Sequence, residues 1–132
     1  MDGLTTVESH FGPKETLDRL DNEVRAKGLT VFARIDHSAG AAAVGMTLLP
    51  TAVLIFGNAR GGTPLMLTNQ LIGLDLPLKV LVYQDTSGKT WLSYTDPPVL
   101  AKRYGLPAET AAQVSTLALA LRALTAKAAG TS

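Results

Sequence analysis

The sequence predicts an α+β domain: a single mixed or antiparallel five-stranded sheet with helices packed mainly on one face, ending in a β-hairpin and C-terminal helices. Three observations carry this. β-rich runs and amphipathic helical stretches follow one another from Leu4 to Gly73. TAVLIF, Thr51–Phe56, is a continuous apolar run rich in β-formers. Two further strand-like runs, Leu78–Gln84 and Thr90–Tyr94, flank the turn Asp85-Thr-Ser-Gly88 and read as a hairpin. Strands separated by helices and closed by a hairpin fit one sheet with helices on one side.

Each element has its own signal. Leu4–Ser9 can form a short strand. Pro13 suits the first position of a helix and Gly28 its stop, with Leu17, Leu20, Val24 and Lys27 along one face. Thr30–Asp36 alternates, with Val31, Ala33 and Ile35 on one side and Phe32 and Arg34 on the other. Asp36 or Ser38 can cap a short helix that ends at Gly45. The Thr51–Phe56 run reads as a central strand covered on both faces. Thr63 is a good N-cap, Pro64 a good first helical residue and Gly73 a good stop. Asp96-Pro97-Pro98 breaks the chain before a helical turn at Val99–Tyr104. Pro107 then opens a last helix to about Ala128, with Val114, Leu117, Leu121 and Leu124 as an apolar stripe.

Composition narrows the function classes. A chain of 132 residues suits one domain, 1–132, with the C-terminal helix over 107–128. Hydrophobic content of 46% against 17% charged residues supports a packed core. A net charge of +1 gives no electrostatic footprint for nucleic acid or an acidic membrane. The absence of cysteine removes disulfides, thiolate catalysis and cysteine metal sites. MDGLTTVESH lacks the apolar segment of a signal peptide, so a cytoplasmic location is expected. From His37 to Leu74 the only formal charge is Arg60, although the 17% average would give about six. Gly40, Gly45, Pro50 and Gly57 cut that segment into pieces too short to span a bilayer. It reads instead as core, extended by a subunit interface.

IFGNARGGTPLM, Ile55–Met66, raises the question of phosphate binding. The spacing from Gly57 to Gly62-Thr63 approaches a P-loop, but the lysine that reaches the phosphates is missing, and Arg60 lies inside the loop. Nucleotide hydrolysis is not expected. Gly61 and Gly62 read as suppliers of positive φ and close approach, and a helix start beside Arg60 would favour an anion.

Three polar groups call for an explanation. In Arg34-Ile35-Asp36-His37, the histidine could move protons near neutral pH, or Asp36 could simply cap a helix that begins at His37. Asp75 stands among leucines and needs a partner, for which Lys79, Arg34 and Arg60 are candidates. In Trp91-Leu-Ser-Tyr94, alternation sets Trp91 and Ser93 on one face and Tyr94 on the other. The two histidines, His10 and His37, lack metal-binding spacing, so no metal or cofactor is expected.

ARIDHSAGAAAVGM, LLPTAVLIFGNARGGTPLM, LDLPLKVLVYQD and WLSYTDP, in this order, resemble the domain-of-unknown-function family 302 from about Gly28 to Leu106. The motif positions are Asp36, His37, Phe56, Gly57, Asn58, Gly62, Thr63, Pro64, Leu74, Asp75, Pro77 and Tyr94. The chain departs from the family pattern at Ala59, Tyr83 and Thr95, where proline, tryptophan and asparagine are usual. The resemblance implies a small α+β protein, often dimeric, with a family-like core over 13–106, and supplies no reaction.

The resulting expectation is a homodimeric binding module for a small, possibly anionic, ligand or a protein partner. Its candidate pocket is Arg34, Asp36, His37, Asn58, Arg60, Thr63, Asp75 and Tyr94. The rivals are a small enzyme using His37 as acid/base with Asp36 or Asp75, and a purely structural or interaction protein.

Overall fold

A computed structural model describes residues 1–132. Five strands, β1 (Leu4–Ser9), β2 (Thr30–Asp36), β3 (Thr51–Gly57), β4 (Leu78–Gln84) and β5 (Thr90–Thr95), pair in the order β1-β5-β4-β3-β2. Every pairing is antiparallel. The helices are α1 (Pro13–Ala26), α2 (His37–Ala43), α3 (Ala59–Thr68), α4 (Pro97–Arg103) and α5 (Ala111–Ala129), with 3₁₀ turns at Gln70–Leu74 and Ala108–Thr110. The expected order of elements is present throughout.

Alternation decides which face each strand buries. Ala52, Leu54 and Phe56 of β3, Leu78, Val80 and Val82 of β4, and Leu92 and Tyr94 of β5 are buried on one face. Leu17, Leu20 and Val24 of α1 and Leu121, Leu124 and Ala128 of α5 close the same core. Pro13 and Gly28 bound α1 as expected, and Gly28 has φ +77. Arg19 ties the two helices together, donating to the last-turn carbonyls of Ala128 at 3.1 Å and Lys127 at 3.0 Å. Lys127 also accepts from the Gly130 amide at 3.2 Å, and a cation at the carbonyl end of a helix complements its dipole. Gly130 ends α5 at φ +80, and a Cβ there would stand 2.7 Å from the Phe11 ring.

Several local expectations are corrected. The β3 run is covered by this chain on one face only: Thr51, Val53 and Ile55 face outward and are half-buried. A bulge between Val31 and Ala33 breaks the alternation expected of β2. Val31 pairs opposite Phe56 on the core face, whereas Ala33 and Ile35 pair opposite Ile55 and Val53 on the outer face. Arg34 is thereby turned towards α1. Helix α3 starts at Ala59, capped by Asn58 rather than Thr63, so Pro64 lies inside it. It ends at Thr68, and a 3₁₀ turn fills the stretch to Leu74. Pro107 precedes a 3₁₀ turn before α5 rather than opening the helix directly.

Asp85 builds the hairpin turn. Its Oδ1 accepts from the Ser87 amide at 2.9 Å, the Ser87 hydroxyl at 2.8 Å and the Lys89 amide at 2.9 Å. Its Oδ2 accepts from the Trp91 indole at 2.8 Å. The Trp91 indole first, then the Ser87 hydroxyl and the two amides, hold its carboxyl down at about 2. A lowered folded-state value means the ionised turn is favoured above the ordinary carboxylate range of about 4. That contribution is lost as pH falls from about 4 towards 2. Asp85→Asn should therefore be less stable than wild type at neutral pH, with the gap closing over that window in thermal melts. A gap independent of pH would show that the carboxylate charge is not what holds the turn. In the core, Phe56 is fully buried, and Phe56→Ala should cost about 3–5 kcal/mol in denaturant unfolding.

Candidate functional site

A mostly apolar, half-open cavity lies at the end of the sheet where β3 runs into α3. It is a cavity of about 310 Å³ between α3, α5 and the ends of β2, β3 and β4. Leu29, Phe32, Met66, Leu76, Leu78 and Leu117 supply its apolar walls. The bulge in β2 brings Phe32 to the rim, where it is 56% exposed. Gly57, Ala59, Gly61, Gly62 and Ala120 line it without side-chain bulk, and Asn58 and Thr116 are its polar side chains. No titratable side chain lines it.

Local chemistry explains the shape. Gly57 leaves β3 at φ +155, a conformation L side chains rarely adopt. Asn58 then caps α3, its Oδ1 accepting from the Gly61 amide at 2.7 Å, while its carbonyl accepts from the Gly62 amide at 3.2 Å. Two loop amides that could have met an anion are thus engaged. Gly61 and Gly62 do not supply the expected positive φ; both are ordinary helical residues.

The sequence-predicted site residues are not brought together. Only Asn58 lines the cavity. Arg60 is exposed in the first turn of α3, without an ion-pair or hydrogen-bond partner, and Thr63 is exposed one turn later. Tyr94 is buried in the core at 7% exposure, facing the helices. Arg34 reaches α1, its Nη2 2.5 Å from Asp18 and its Nη1 3.3 Å from Asp21. The Arg34 hydrogen bond first, then the one from Lys14, holds the Asp18 carboxyl below its usual range. Burial works against the Arg34 charge, but its bonds to Asp18 and Asp21 win and raise its pKa.

Asp36 caps α2, accepting from the Ala39 amide at 2.9 Å and the Ser38 hydroxyl at 2.6 Å. The Ser38 hydroxyl, then the Ala39 amide, lower its carboxyl. His37 follows as the exposed first residue of α2. Asp75 lies at the opposite end of the sheet. Asp36 pairs with Ala52 and Leu78 with Phe56, four residues further along β3, so the two ends are about 13 Å apart. His37 and Asp75 cannot share a proton directly. The partners of Asp75 are the Tyr104 hydroxyl and Arg103, whose Nη1 is 3.0 Å away, not Lys79, Arg34 or Arg60. The Tyr104 bond first, opposed by burial and helped by Arg103, lowers the Asp75 carboxyl, and Asp75 in turn raises the Tyr104 phenol. Asp75 borders a separate cleft of about 90 Å³ with Leu78, Lys79, Thr95, Leu100 and Leu121.

Sequence reasoning missed the residues that enclose the cavity. Phe32 needed the bulge, and Thr116, Leu117 and Ala120 needed the packing of α5. The available signal was the run of small residues Gly57, Ala59, Gly61 and Gly62, which leaves space on one side of a helix start.

Comparison with known proteins agrees with this architecture. A crystal structure of an uncharacterized conserved DUF302 protein from Bacillus stearothermophilus shares the fold with a TM-score of 0.85. The match covers 97% of this chain and 99% of that one at 23% identity. The chain is also 41% identical over 128 residues to Fluoride-specific ion channel FluC 1 of Brucella suis biovar 1, strain 1330. The same identity holds for Fluoride-specific ion channel FluC 2 of Brucella melitensis biotype 1. The chain spans about half the length of these curated relatives, 50% and 47%, while 97% of the chain itself is matched. The family described as domain of unknown function DUF302 matches residues 5–124, and this chain belongs to that family.

Proposed function

We propose that this chain is a binding module for an apolar small molecule, held in the cavity between α3 and α5. The observation that carries the reading is the cavity itself, about 310 Å³ of space walled by leucines, Met66 and Phe32, with Asn58 and Thr116 as its only polar side chains. That volume and that balance of many apolar groups with few polar ones are those of small-molecule pockets. An anionic ligand is disfavoured, because Arg60 does not line the space, no other cationic side chain does, and the Asn58 side chain takes the Gly61 amide. Acid–base chemistry finds no titratable group at the cavity and no His37–Asp75 contact.

The channel name of the relatives belongs to proteins about twice as long as the matched part. No helix of this chain is long and apolar enough to cross a membrane. We assign ion conduction to the half of those relatives that this chain does not match, and ligand binding to the half it does.

Gly62→Leu tests the cavity. A Cβ at Gly62 meets Leu76 and Met66 at 3.6 Å, ordinary contact, so a longer side chain extends into the space. Replacing a helical glycine also favours α3 by somewhat under about 1 kcal/mol. Wild type should bind the neutral dye N-phenyl-1-naphthylamine saturably. The variant should bind it at least about tenfold more weakly while melting no lower. Undiminished dye binding by Gly62→Leu would overturn the reading. Sodium fluoride at millimolar concentration should leave the melting temperature of wild type and of Arg60→Ala unchanged. A fluoride-dependent rise in wild type that Arg60→Ala removes would restore the anion site instead.

A further inference from the structure

The cavity between α3 and α5 differs from end to end. Gly57 and Leu78, on its inner side, are buried, whereas Phe32, Asn58 and Thr116 are exposed. It therefore runs from an apolar floor to a mouth that carries both of its polar side chains. Each of the two is already committed in part, and what remains free is specific. An amide nitrogen cannot accept a hydrogen bond, so the 2.7 Å bond from the Gly61 amide fixes Oδ1 of Asn58 on α3. Nδ2 is left as a donor without an acceptor in the chain. On the α5 side, the Thr116 hydroxyl gives its single hydrogen to the Ala112 carbonyl at 3.0 Å, which leaves its lone pairs. The mouth thus offers a donor at Asn58 and an acceptor at Thr116, and no charged side chain lines the space.

We propose that the ligand of this cavity is an uncharged amphiphile with an amide-type head, its apolar body against Leu78 and its carbonyl oxygen accepting from Asn58 Nδ2. The assignment rests on the reading of the cavity as an apolar-ligand site and adds the head group to it. A carbonyl oxygen is the partner that Nδ2 lacks, and the N–H of an amide is the partner that the Thr116 lone pairs lack. Ionised heads fit less well. A carboxylate meets the Asn58 donor but no cation, and the Thr116 oxygen faces it as a second acceptor. An ammonium meets the N–H groups of Asn58 as a second donor. Either ion gives up hydration for at most one hydrogen bond. A plain hydrocarbon displaces water from both polar groups and restores neither bond.

Displacement of N-phenyl-1-naphthylamine from the full chain at neutral pH tests the head group. The competitors are octanamide, octanoate and octylammonium, which share chain length and differ in the head. Octanamide should compete at least about tenfold more strongly than either ion. Asn58→Asp keeps an oxygen for the Gly61 amide and removes the donor. It should bind the dye within about twofold of wild type but lose the octanamide preference, with octylammonium becoming the strongest of the three. Thr116→Val removes only the acceptor and should weaken octanamide about fivefold, with dye binding unchanged. Equal competition by all three compounds, or an order headed by octanoate, overturns the head-group assignment and leaves the apolar site standing. An octanamide preference that both variants retain does the same. Failure of the apolar site itself reads differently: dye binding that Gly62→Leu leaves undiminished overturns both.

Discussion

Burial of one face of a five-stranded sheet by two helices is the constraint from which the rest follows. Leu54, Phe56, Val80, Val82 and Leu92 meet Leu20, Val24, Leu121 and Leu124 in one core. α1 and α5 lie side by side, joined by Arg19 at the exposed carbonyl end of α5. They suffice for one layer. Because side chains alternate along each strand, fixing that layer also fixes what the opposite face presents. The one-sided core thus accounts for both the cleft at its margin and the uncovered surface on its reverse.

The bulge in β2 adjusts this scheme at the edge. Without it, strict alternation would set Arg34 opposite the side chains of Val31, Ala33 and Ile35. The extra residue lets Val31 stay on the core while Ala33 and Ile35 join the outer face. Arg34 then reaches Asp18 and Asp21, pairs that hold α1 against the edge strand. Being partly exposed, these pairs contribute orientation more than stability. Phe32 is left at the rim of the cavity, so one irregularity serves the core, the ion pairs and the pocket.

Much of the fold was legible in the sequence because local signals agreed with the tertiary result. Pro13, Gly28, Asp36, Gly45 and the Asp85 turn did what short-range chemistry says they should. The family motifs pointed to the same architecture. The site was less legible. His37, Asp36 and Asp75 looked like a chemical group because polar residues in apolar surroundings attract a functional reading. Each instead has a structural reason: Asp36 caps α2, His37 opens it, and Asp75 binds Tyr104 and Arg103, 29 and 28 residues away in sequence. The charge-poor segment from His37 to Leu74 was read as core plus interface, yet His37–Leu49 is largely exposed in the single chain. Hydropathy records that a surface is meant to leave water; it does not record whether its own chain or another one removes it.

The glycines of IFGNARGGTPLM find their explanation in space rather than in phosphate. Within a helix each glycine costs about 1 kcal/mol relative to alanine, and a positive φ would normally account for that cost. Neither Gly61 nor Gly62 has one. At Gly61 a Cβ would approach the capping oxygen of Asn58 to 3.2 Å, so the cap itself asks for glycine. At Gly62 no such crowding exists, since the nearest atoms of Leu76 and Met66 stand at 3.6 Å. What glycine preserves there is the empty volume between α3 and α5. A packed core would fill a void of this size, because unfilled apolar space forfeits dispersion contacts. If the proposed apolar ligand occupies this cleft, Gly62 keeps room for it, a role that no demand of the backbone supplies.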